Sequence, residues 1–168
     1  MSRADAERWA ASSKVTQDTY HITTSVANAR SIMENGFDLG RREFGRMWGD
    51  GVYVGADNET AKLYTRFVGR GARKLTIKMD VRNPFVFKAK GDSTTGSGFT
   101  KVDIVMDALK LPYPKAMKEL QKVGGDLSRV LSGAGYDALH IIPTAINEGA
   151  GGNQIVVFDP KKVVVINE

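Results

Sequence analysis

The hydrophobic period of this chain switches repeatedly between two residues and about three and a half, and each switch predicts an element. Thr19-Tyr20-His21-Ile22-Thr23 is rich in β-formers, and Thr24 or Ser25 then caps a helix over about 26–35. Val26, Ala29, Ile32 and Met33 share one face of that helix, so it should lie on a sheet, and Gly36 supplies the stop. Gly51 to Gly55 reads as a short buried strand. Asp57 caps a second helix to about Val68, on which Ala61, Tyr64 and Val68 share a face, and Gly69-Arg70-Gly71 ends it.

The second half is patterned differently. Leu75 to Val81 alternates, and Phe85 to Ala89 follows the turn signal Asn83-Pro84. Residues 101–133 are helical in pieces, interrupted at Pro112, Pro114 and Gly124-Gly125, and 136–142 reads as a strand. Two last apolar runs, 154–158 and 163–166, flank Asp159-Pro160-Lys161-Lys162, which has the chemistry of a tight turn joining neighbouring strands. Residues 38–50, 91–98 and 143–152 read as loops. Helices and strands without regular βαβ alternation predict an α+β fold. Residues 1–17, with a short helix carrying Trp9, form a lead-in segment, and 18–168 form a single domain.

Composition narrows the chemistry. With 168 residues, 42% of them apolar, the chain suffices for one hydrophobic core. The absence of cysteine excludes disulfides, thiolate metal sites and a cysteine nucleophile, and two histidines, His21 and His140, exclude a multi-histidine metal centre. No metal is therefore expected. The net charge of +5 favours anionic partners such as nucleic acid or a phosphate-bearing ligand. No secretory or membrane-spanning run is apparent, so the expectation is a cytoplasmic protein with no membrane partner.

Familiar motifs fail. Gly40 to Gly45 has P-loop glycine spacing, but Arg46-Met47 stands where Lys and Ser or Thr are required. Neither Gly133-Ala134-Gly135 nor Gly149 to Gly152 follows a strand and opens a helix, as a dinucleotide fingerprint must. No GxSxG elbow occurs. His140, within Ala138-Leu139-His140-Ile141-Ile142, reads as structural.

One ordered set stands out. It runs through Tyr20-His21-Ile22-Thr23, Gly45-Arg46-Met47-Trp48-Gly49-Asp50-Gly51-Val52-Tyr53-Val54, Ala61-Lys62-Leu63-Tyr64 and Gly152-Asn153-Gln154-Ile155-Val156-Val157. This resembles the ADP-ribosyltransferase superfamily, in the branch of diphtheria toxin and the poly(ADP-ribose) polymerases, over about half the chain. The resemblance implies a split β-sheet holding NAD, the substrate, in a cleft, and a catalytic His-Tyr-Glu set matched here by His21, Tyr53 and Gln154. It implies that the Ile22 backbone binds the nicotinamide amide, that His21 and the Thr23 hydroxyl meet a ribose, and that Tyr53 and Tyr64 sandwich the nicotinamide ring. Gly51, with Gly49, would let the backbone approach the ligand. Arg41, Arg42 or Arg46 would reach the pyrophosphate, although taken alone these are solvated loop charges.

The chain departs from the family at Gln154, where a glutamate is expected, at Ala61, where the polymerases place a serine, and at Asp38, in a stretch where an arginine often meets the cofactor. Glutamine keeps the hydrogen bond and loses the charge, and it cannot serve as the base that polymer formation needs. Glu148, six residues earlier, is a second carboxylate near this motif. The implied activity is mono-ADP-ribosylation of a macromolecular acceptor, protein or nucleic acid, by a toxin or a phage or bacterial effector that an inhibitor or antitoxin protein would restrain. Two alternatives stand beside it: a pseudoenzyme that binds NAD or ADP-ribose, and an RNA 2′-phosphotransferase-like enzyme.

Overall fold

A computed structural model describes residues 1–40, 47–89, 99–143 and 152–167. The described residues form an α+β domain of six α-helices and seven strands. Helix α1 (Arg3–Trp9) is followed by β1 (Thr19–Thr23), α2 (Val26–Asn35), β2 (Val52–Gly55) and α3 (Asn58–Val68). Then come β3 (Arg73–Met79), β4 (Pro84–Lys88), α4 (Lys101–Leu109), α5 (Tyr113–Lys122), α6 (Leu127–Gly133), β5 (Ala138–Ile142), β6 (Gln154–Val157) and β7 (Val163–Val165). Local chemistry explains the boundaries: the Ser25 hydroxyl accepts from Asn28 N at the start of α2, and the Asp57 carboxylate accepts from Thr60 N at the start of α3. Pro112 caps α5 and Pro114 lies in its first turn, where a missing N–H costs no helical bond. Among the described residues no helix is long and apolar enough to cross a membrane.

The strand order is β4-β5-β6-β2-β1-β3-β7. Strands β4 and β5 are parallel, so they need a long crossover, and α4, α5 and α6 lie within it. The expected tight turn between neighbouring strands at 159–162 is corrected. Pro160–Lys162 forms one turn of 3-10 helix, and β6 and β7 lie four strand spacings apart in the order. Both strands are apolar and the turn residues are conventional, so local sequence does not reveal that β7 pairs with β3 instead.

A flat sheet is excluded by chain length. From Met79 to Pro84 the chain takes five steps, at most about 18 Å. In a flat sheet β3 and β4 would stand five spacings apart, about 24 Å. The sheet therefore folds over into two halves, β4-β5-β6-β2 and β1-β3-β7. Leu75, Ile77, Met79 and Val163 of one half pack in a single cluster with Val52, Val54, Ile155 and Val157 of the other. The outer face of β4, β5 and β6 is covered by α4, α5 and α6 in a second cluster that includes Ile104, Leu127, Leu131, Leu139 and Ile141.

The fold lies between β1 and β2, whose ladder consists of one pair, Tyr20 with Gly55. By contrast β1 pairs with β3 over five residues and β2 with β6 over four. The opening segment is tied to the β3–β7 half: Lys14 N donates to Val81 O, and Asn167 N to Met1 O.

Candidate functional site

The seam between β1 and β2 organises the sequence-predicted residues. Registered partners share a sheet face and successive residues alternate between faces. Tyr20, Gly55 and Gln154 are registered across β1, β2 and β6, so Tyr53, two residues before Gly55, shares their face. His21 and Thr23 lie on the opposite face of β1, registered with Leu75 and Arg73 of β3. The structure thus brings Tyr53 and Gln154 together on one face and sets His21 on the other.

His21 rejoins them through the seam. Its Nδ1 lies 2.9 Å from the Tyr53 carbonyl oxygen. A carbonyl only accepts, so Nδ1 carries the proton, and the neutral ring presents Nε2 as an acceptor. Burial drives the His21 pKa below the ordinary imidazole value, with the bond to Tyr53 opposing the fall. The ring meets Phe37 edge-on with centroids 4.9 Å apart.

The alternation that points Gly55 backbone groups at β1 also points the Tyr53 carbonyl there, because Ala56 N, one residue on, donates to Asn153 O of the β6 side. A continuing ladder would set Ile22 opposite Tyr53, yet the pairing ends at Tyr20. The backbone groups of Ile22 therefore face the seam. Thr23, at the strand end, is buried.

Tyr53 and Tyr64 have different attachments. The Tyr53 hydroxyl accepts from Trp48 N at 3.0 Å and donates to Gly49 O at 2.7 Å, which fixes the ring against the preceding loop. Helix α3 packs across β1 and β2 and carries Tyr64, whose hydroxyl donates to Gln154 Oε1 at 3.3 Å. Burial, followed by Tyr53 and Asp57, pushes the Tyr64 phenol well above the ordinary range, so it remains a donor at every physiological pH. Gln154 itself is buried at the start of β6.

Thr60, which sequence reasoning misses, and His140 support the site from behind. The fully buried Thr60 of α3 accepts from Asn153 N through its hydroxyl at 3.0 Å, and Asn153 Oδ1 lies 2.7 Å from His140 Nε2. Together they hold the residue immediately before Gln154. A buried threonine on an amphipathic helix looks like core in sequence, and no local signal distinguishes it.

Gly51 lies hard against the neighbouring strand. A Cβ there would fall 2.5 Å from Val156 Cγ1 and 2.8 Å from Val157 O, so its lack of a side chain lets β2 lie close to β6. Gly49 likewise faces Asp126 and Ser128. Arg41, Arg42, Arg46 and Glu148 lie outside the described residues. Among the described residues no group of three or more His, Asp or Glu converges as a metal site would require. Compared with known proteins, the chain matches no family model and no curated protein.

Proposed function

We propose that the protein is a mono-ADP-ribosyltransferase of the ADP-ribosyltransferase-like fold, which takes NAD as substrate and transfers its ADP-ribose to a macromolecular acceptor. The observation that carries this reading is the one-pair ladder between β1 and β2, with His21, Ile22, Tyr53, Tyr64 and Gln154 gathered along it. In this reading the outward-facing backbone of Ile22 binds the nicotinamide carboxamide, and the rings of Tyr53 and Tyr64 flank the nicotinamide. Such stacking contributes about 0.5–1.5 kcal/mol beyond area burial. The unprotonated Nε2 of His21 accepts from a ribose hydroxyl, and Gln154 holds the ribose at the reacting carbon.

The bond from that carbon to nicotinamide breaks, and nicotinamide leaves as a neutral molecule with the bonding electrons. Positive charge develops on the ribose, and an oxygen or nitrogen of the acceptor closes the new bond and releases its proton to solvent. Gln154 offers a dipole where a carboxylate would offer full charge, so the ribose cation is stabilised less. One observation favours a second reading, recognition of NAD or ADP-ribose without turnover: Gln154 is uncharged and its amide oxygen is already engaged by Tyr64.

Incubation with labelled NAD, with and without cell extract, separates the two. Released nicotinamide and a labelled acceptor are expected. Measurable NAD binding with neither product would overturn the enzymatic reading and leave the second.

A further inference from the structure

From Thr60 to Met79 the chain carries six Lys or Arg and no Asp or Glu, a local excess greater than the +5 of the whole protein. Two of the six are accounted for: Lys62 pairs with Glu59, and the buried Lys78 pairs with Asp18. The other four, Arg66, Arg70, Arg73 and Lys74, are exposed, and among the described residues none of them forms an ion pair. They occupy the last turn of α3, the turn after it and the start of β3.

Register fixes where this surface lies. Arg73 is opposite Thr23 on the His21 face and Lys74 opposite Ile22 on the Tyr20 face, so the basic run borders β1, whose other edge opens onto the seam, and flanks the start of β3 from both sides. The Arg73 guanidinium turns back to the strand end, where it donates to Gly71 O and Ala72 O. The Lys74 ammonium sits 4.7 Å above the Tyr20 ring, on the face shared with Tyr53 and Gln154. Between Arg66 and Arg70 stands Phe67, 77% exposed.

Clustered like charges do not help the fold, since they repel one another, whereas they suit a polyanion. Three of the four are arginines, whose planar forks match phosphate oxygens in pairs. An exposed aromatic ring among them distinguishes a nucleic acid from an acidic protein, because an unpaired base stacks on such a ring. A duplex keeps its bases stacked inward, and only a flexible strand brings a base nitrogen or a terminal phosphate oxygen into a cleft.

We infer that the surface formed by Arg66, Phe67, Arg70, Arg73 and Lys74 binds single-stranded nucleic acid and presents it to the seam as the acceptor of ADP-ribose. The acceptor role rests on the proposed transferase activity; the binding role does not. In the transfer step, a nucleophilic atom of the strand bonds to the ribose carbon as the bond to nicotinamide breaks. The leaving nicotinamide keeps the electron pair, and any proton on the nucleophile passes to solvent.

The test titrates fluorescein-labelled twenty-nucleotide single strands, RNA and DNA of matched sequence, into the full chain and follows anisotropy from 50 to 200 mM salt. Four phosphate contacts at about 0.7 counterions each give a log–log slope near −2.8, or roughly 50-fold weaker binding across that range. The double variant Arg66→Ala/Arg70→Ala should halve the slope, to about −1.4, and weaken binding roughly 60- to 70-fold at 50 mM salt. Phe67→Ala should weaken binding and leave the slope unchanged. Comparison of the two strands shows which sugar is preferred, and circular dichroism verifies that the variants fold.

Absence of binding at 50 mM salt, indifference to the double variant, or tighter binding of polyglutamate than of either strand would overturn the inference. Labelled NAD added to the bound strand gives an independent readout. Strand binding with no nicotinamide release from any acceptor would overturn the transferase reading alone. Label on proteins, with no strand bound or labelled, would overturn this inference and leave the transferase.

Discussion

The Tyr64 hydroxyl and the amide oxygen of Gln154, 3.3 Å apart, join α3 to the first residue of β6 across the candidate site. Because burial keeps the phenol protonated, Tyr64 would donate more strongly still to a carboxylate at position 154. Hydrogen bonds to charged groups contribute roughly 1.5–3 kcal/mol, against about 1 for neutral ones. The difference of about 0.5–2 kcal/mol, expressed on the ribose cation, corresponds to roughly 2–30-fold in rate. Gln154→Glu should raise nicotinamide release by that factor, and Gln154→Ala should lower it further than Glu148→Ala does. Chromatographic measurement of nicotinamide from NAD checks both; a glutamate variant no faster than the parent would remove Gln154 from the reacting centre.

His21 predicts a pH dependence. Its folded pKa lies below the ordinary imidazole value of about 6.5 because burial penalises the charged ring. The folded state therefore holds the neutral form, and the unfolded chain takes up a proton first on acidification. The stability associated with the neutral ring is fully present above about pH 6.5 and is lost as pH falls from there through the lowered folded value. Urea midpoints at pH 7.5 and 5.0 should differ more in the parent than in His21→Gln. An equal difference in both would show that other groups carry the acid sensitivity.

Gly152 and Thr60 form a close contact just before Gln154. Gly152 has φ +69°, and a Cβ there would fall 2.8 Å from the Thr60 hydroxyl. Gly152→Ala combines left-handed strain with that clash and should destabilise by about 1–3 kcal/mol. Thr60→Val leaves Asn153 N without its acceptor, also at about 1–3 kcal/mol. Both variants should lower nicotinamide release even where urea titration shows them folded, because both displace the residue next to Gln154.

Gly51 gives the complementary case. Val157 O, a backbone atom paired into the sheet, is 2.8 Å from where a Cβ would stand, so the neighbour has little freedom to move. Gly51→Ala should destabilise by about 1–3 kcal/mol through overpacking. If the glycine instead served ligand approach, NAD affinity would fall with the urea midpoint unchanged, and the two measurements together distinguish these roles.

Elements were legible in this sequence wherever the signal is local. Ser25 and Asp57 cap the helices where the hydrophobic period changes, and Thr19–Thr23 and Val26–Asn35 have the expected bounds. Pairing was not legible, since Val163–Val165 is compatible with any apolar partner and its place beside β3 depends on the whole sheet. The same limit applies to the site. The order of His21, Tyr53, Tyr64 and Gln154 is a sequence property, but which sheet face each occupies depends on register. His21 consequently meets Tyr53 through its backbone carbonyl and not side chain to side chain.

The chain passes between the two halves of the sheet four times, from β1 to β2, β2 to β3, β3 to β4 and β6 to β7. Two of these passages converge on Asp137, whose carboxylate accepts from Arg82 N, Asn83 N and Lys162 Nζ. No single cut of the polypeptide can release either half, so the groove at Tyr20 and Gly55 is an interruption within one cooperative unit and not a border between two. Amides on either side of it should share a single protection free energy in hydrogen exchange, and a split-protein pair divided at any loop should regain structure only when both fragments are present.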